Sequence, residues 1–144
     1  MFRPDRVVLR EGRPVAVIEA KARPVQSAFH EPVMRQLQEF STSVSSPWVL
    51  LVDPEKTEVF RSIDVTKPVV TLSTGEILKG ETRFRPSVIG EETLLFVLDK
   101  WLQELPEHAN AFVTRHPELK DFARDLSNHI TIVREWSPGR SGDG

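Results

Sequence analysis

The sequence predicts an α/β fold, a mixed β-sheet flanked by helices with a helical C-terminal extension, and three stretches carry that prediction. Residues 7–20 are rich in β-branched side chains around a central glycine. Residues 47–53 form a continuous apolar run, and residues 91–105 repeat apolar side chains at helical spacing. A hairpin, a strand covered on both faces and a long amphipathic helix belong together in a layered α/β arrangement.

The first strand pair comes from residues 7–10 and 14–20, joined by Glu11-Gly12-Arg13, a short glycine-containing connection suited to a hairpin. With the turn centred on Gly12, facing positions sum to 24. Arg10 then faces Pro14, Val7 faces Val17 and Asp5 faces Glu19. Ala22-Arg23-Pro24 ends the second strand. A helix then starts between Ser27 and Pro32 and runs to about Val44. Its apolar stripe reads Phe29, Val33, Leu37, Phe40 and Val44, with Gln36 on the edge.

The run 47–53 reads as a central strand, because an uninterrupted apolar segment of that length needs cover on both faces. Residues 53–56 supply a turn with Pro54 in its second position; residues 57–61 return as a strand and 69–72 as a short edge strand. Residues 74–90 are irregular and charged. The next helix has apolar residues at 94, 95, 98, 101, 102 and 105, and Pro106 is expected to end it. Residues 107–115 and 117–128 read as further helices, 130–133 as a strand or an extended end, and 137–144 as a disordered tail. The reading is one domain over 1–136, with its core in 3–72 and the helical extension in 91–128.

At 144 residues and 39% apolar content the chain can bury a real core. It has no cysteine, which removes disulfides, iron–sulfur clusters and thiolate zinc sites. His30, His108, His116 and His129 lack ligand spacing, so zinc is not expected. No apolar run approaches the roughly 20 residues of a membrane helix, and Met1 opens onto charged residues, so no membrane association and a cytoplasmic location are expected. There is no glycine-rich phosphate loop. Net charge is −2, but residues 1–35 hold seven Lys/Arg against four Asp/Glu, a modest local excess suited to phosphate contact.

The chemistry concentrates in the hairpin. Facing strand residues have Cβ atoms roughly 4.5 to 5.5 Å apart, so the predicted register brings Asp5 and Glu19 together. Lys21, two residues beyond Glu19, projects from the same face. A Glu-x-Lys pattern in a strand ordinarily makes an ion pair; a second carboxylate opposite it makes a candidate metal site of hard oxygen donors. Asp53, Glu55 and Glu58 read as solvated surface, and His30 is the one histidine placed to approach the site. Gln36, taken alone, equally suits a backbone cap or the solvent edge. Phe40, Trp48 and Trp101 read as core, while the role of Trp136 is open.

Pro4-Asp5, then Glu19-Ala20-Lys21 after apolar Val17-Ile18, then Gln36-Leu37-Gln38-Glu39-Phe40 on the following helix, stand in a recognisable order. The chain resembles the PD-(D/E)xK nuclease superfamily, with the flavour of the nuclease domain of type I restriction enzyme motor subunits. The resemblance covers residues 3 to about 62, with Phe40 where some branches carry Tyr. It implies a restriction-endonuclease-like fold and Mg²⁺- or Mn²⁺-dependent hydrolysis of DNA. Asp5, Glu19 and the Ala20 carbonyl would be metal ligands, Lys21 would act on the attacking water, and Gln36 would position the site. An alternative is a module of the same fold that binds nucleic acid or a protein partner with little or no turnover. Members of the superfamily place a helix, often bearing Glu, and a strand ahead of the Pro-Asp element, whereas this chain reads as lacking both. That implies an open sheet edge or apolar face covered by a second copy or a partner chain.

Overall fold

The computed structural model describes residues 2–25, 27–77, 90–126 and 129–136. Its strands are β1 (Arg6–Arg10), β2 (Arg13–Ala20), β3 (Trp48–Val52), β4 (Lys56–Arg61), β5 (Val70–Ser73) and β6 (Ile130–Val133). Its helices are α1 (Ser27–Ser43), a single turn α2 (Thr74–Ile77), α3 (Glu91–Arg115) and α4 (Lys120–Asp125), the last preceded by a 3₁₀ turn over Pro117–Leu119. The strands form one mixed six-stranded sheet in the order β5-β4-β3-β2-β1-β6. Only β2 and β3 run parallel, and α1 makes the crossover that such a pair requires.

Helices cover both faces of the sheet. On one, Val7, Val17, Val49, Leu51 and Phe60 pack with Met34, Leu37 and Phe40 of α1. On the other, Val8, Ala16, Ile18, Trp48, Leu50 and Leu72 pack with the buried stripe of α3 and with Phe122 of α4. All five side chains of β3 are buried, as its apolar run predicts for a central strand. Each such side chain stabilises the fold by about 1.5–3 kcal/mol.

Several expectations are corrected. The hairpin turns through Glu11 and Gly12, both at positive φ (54° and 77°), a conformation glycine adopts freely. A bulge follows between Val8 and Leu9, so Val7 does face Val17 but Arg10 faces Arg13 rather than Pro14. In α1 Met34, Leu37, Phe40 and Ser41 are buried, and Val33 and Val44 of the expected stripe pack against the same cluster; Phe29 does not, being 63% exposed. Helix α3 continues through Pro106 to Arg115. The proline removes one backbone bond, but Ala109, Phe112 and Val113 keep packing on the core beyond it, and burial outweighs the local break.

The expected open edge beside the hairpin is also corrected. Strand β6 pairs antiparallel with β1, Val7 facing Val133 and Arg10 facing Ile130, so the chain covers that edge itself. Residues 78–89, most of the irregular segment, and the 137–144 tail lie outside the described residues. Among the described residues no helix is long and apolar enough to cross a membrane.

Candidate metal and phosphodiester site

The site forms where β1 has not yet begun and β2 is about to end. The Lys21 N–H donates to the Val52 carbonyl on β3 at 2.8 Å. Backbone groups alternate sides along a strand, so the N–H and carbonyl of Ala20 turn the other way, toward β1. There, at the bend before β1, the Asp5 carboxylate accepts the Ala20 N–H at 2.8 Å through Oδ2. Glu19 returns the contact: its Oε1 accepts the Asp5 N–H at 3.2 Å. Its Oε2 accepts from the Lys21 ammonium at 3.1 Å. The structure thus brings Asp5, Glu19, Ala20 and Lys21 together.

These groups do not balance. Glu19 is 8% exposed, and its carboxyl is pushed up to about 7, first by burial and next by the negative charge of Asp5; Lys21 pulls the other way and does not cancel them. Two carboxylates held against one amine in a low-dielectric corner leave an excess of negative charge. A divalent cation suits such a donor set, because carboxylate and carbonyl oxygens are the ligands Mg²⁺ and Mn²⁺ take. Among the described residues no group of three or more His, Asp or Glu side chains converges, here or elsewhere. Gln36 is exposed on α1 and is not among the residues bonded to Asp5, Glu19 or Lys21. Its neighbour Gln38 turns inward instead, donating to the Ser62 carbonyl at 2.9 Å.

Behind the site, Arg6 points to the opposite face of the sheet and is 4% exposed. Its guanidinium donates to the Asp5 carbonyl at 3.0 Å and to Asp99 of α3 at 3.2 Å. Burial raises the Asp99 carboxyl above its ordinary value, with the Arg6 charge opposing. Arg6 Nη2 and Asp99 Oδ1 are buried and have no partner. The ion pair therefore clamps the Asp5 backbone to α3 at a real cost in desolvation. A cation among apolar strand residues, Arg6 before Val7 and Val8, is the sequence signal that could have found it.

Asp53 and Glu58 are not solvated surface, which corrects the expectation for that cluster; only Glu55 is exposed. Asp53 is 1% exposed and accepts three backbone N–H groups, from Glu55 and Lys56 at 2.8 Å and from Val25 at 3.1 Å. It closes the β3–β4 turn and ties it to the segment entering α1. Glu58 is buried beneath α1, 2.9 Å from His30 Nε2 and 3.8 Å from the Lys56 ammonium. Glu19 faces Leu51 across β2–β3, and Leu51 faces Glu58 across β3–β4. Glu19 and Glu58 thus occupy one row on the α1 face, two strands or roughly 9–10 Å apart. His30 approaches this row but pairs with Glu58.

Comparison with protein families, with curated proteins and with solved structures finds no match to this chain.

Proposed function

We propose that this chain is a divalent-metal-dependent nuclease of restriction-endonuclease-like fold that hydrolyses DNA phosphodiester bonds. The observation that carries the reading is the convergence of Asp5, Glu19 and Lys21 at one strand end, with Glu19 buried and short of positive charge. Supporting it, α3 packs on the sheet face opposite α1 and β6 pairs with β1. A helix on that face and a strand beside β1 are what a sheet of this kind needs in order to cover its apolar face and its edge.

Asp5, Glu19 and the Ala20 carbonyl would hold Mg²⁺ or Mn²⁺, which when bound polarises a phosphoryl oxygen and lowers the pKa of water. Lys21 is tethered to Glu19, so its ammonium stays at the site and orients the attacking water or offsets charge on the phosphate. The bonds from Asp5 to the Ala20 N–H and from the Asp5 N–H to Glu19 hold both carboxylates in place before substrate arrives.

The test is cleavage of single- and double-stranded DNA with Mg²⁺ or Mn²⁺ by the wild type, Asp5→Ala and Lys21→Ala. Loss in both variants supports the site. Unchanged activity in both would remove it.

A further inference from the structure

We propose that His30 is a catalytic residue, the general acid that protonates the departing sugar oxygen, and that Glu58 is its positioning residue. This rests on the nuclease reading above and extends it to a pair of side chains that reading leaves unused.

Three observations carry it. First, Glu58 shares one row of the sheet face with Glu19, separated by Leu51. A buried carboxylate in that row belongs to the same end of the sheet as the Asp5 site. Second, His30 Nε2 lies 2.9 Å from Glu58 Oε1, and the imidazole also sits against the Phe60 ring, centroids 6.3 Å apart. Carboxylate, imidazole and aromatic ring fix its orientation, which is the pairing of acid and orienting group that proton transfer needs. Third, the imidazole is part-exposed. His30, Glu58, Lys56, Val25 and Glu31 line a hollow of about 370 Å³, roomy enough to admit a sugar–phosphate unit. Val25 also lines the adjoining hollow that contains Lys21. Lys21 thus lines one hollow and His30 the other, with Val25 common to both, and we seat the scissile phosphodiester across them.

The step balances. A water oxygen bonds to phosphorus, its proton passing to solvent, while the bond from phosphorus to the departing oxygen breaks. That oxygen takes the proton on His30 Nδ1. Glu58, accepting the Nε2 hydrogen, holds the ring in place, and solvent reprotonates Nδ1 afterwards. Water and phosphodiester become phosphomonoester and alcohol.

A simple structural role, tying α1 to β4, predicts a different result. The experiment compares wild type, His30→Ala, His30→Gln and Glu58→Gln on an ordinary oligonucleotide and on oligonucleotides with sulfur at the 3′ or 5′ bridging position. A thiolate departs without a proton. On the ordinary substrate His30→Ala should lose about 10²–10⁴-fold in rate. On the sulfur substrate cleaved at that bond the loss should shrink to a few-fold, and Glu58→Gln should show a smaller loss rescued in the same way. His30→Gln keeps a hydrogen bond to Glu58, so its melting temperature should hold while its rate falls. Full activity in His30→Ala, or an equal loss on both substrate types, overturns this assignment while leaving Asp5, Glu19 and Lys21 untouched. An inactive wild type, or activity that survives Asp5→Ala and Lys21→Ala, overturns the nuclease reading and this inference with it.

Discussion

Asp5 and Glu19 bond reciprocally across the hairpin: the Asp5 N–H reaches Glu19 Oε1 at 3.2 Å, and Asp5 Oδ2 takes the N–H of Ala20, next to Glu19, at 2.8 Å. Each carboxylate is fixed by the backbone of the other's strand. The two bonds hold the carboxylates together where a flexible surface pair would separate, and the proximity of Asp5 adds to burial in raising the Glu19 carboxyl.

Stability should therefore fall with rising pH in the absence of metal. Glu19 holds its proton to about 7 in the folded chain against 4.5 as its ordinary value. The folded state binds more protons than the unfolded one in that window, so this contribution is fully present below about 4.5 and lost as pH rises through about 7. The loss is on the order of 3 kcal/mol. Denaturant unfolding from pH 4.5 to 8 checks it, and Glu19→Gln should flatten the slope and be the more stable protein at pH 8.

The Arg6–Asp99 pair should show strong coupling. Arg6→Met leaves Asp99 without its partner in a half-buried setting and should cost about 3–5 kcal/mol. Asp99→Leu added to it removes the stranded charge and should recover much of that loss. A double-mutant cycle by chemical denaturation measures the coupling; additive effects would contradict the clamp.

Asp53→Ala should destabilise by about 2–3 kcal/mol, since three backbone N–H groups lose their acceptor at once. Hydrogen exchange at Val25, Glu55 and Lys56 should rise selectively. Glu55→Ala, on an exposed side chain of the same turn, should stay within about 0.5 kcal/mol of wild type.

Local pattern made the hairpin and β3 legible, and with them the meeting of Asp5, Glu19 and Lys21. The bulge was not, because nothing in Val15 marks the extra residue that shifts Arg10 onto Arg13. Pro106 misled for a related reason: a local breaker is read from sequence, while the packing of Phe112 and Val113 that overrides it is not. Glu58 looked solvated because its partner His30 lies 28 residues away on another element. The pairing of β6 with β1 joins segments more than a hundred residues apart, so strand composition alone could not reveal it.

The most direct test of the metal site is a calorimetric Mn²⁺ titration of wild type, Asp5→Asn and Glu19→Gln at pH 8. The geometry predicts binding at this site in the wild type and its loss in both variants, with a Mn²⁺-dependent rise in wild-type melting temperature, since a ligand held by the folded state stabilises it. Absence of binding in the wild type, or binding that survives both substitutions, would contradict it.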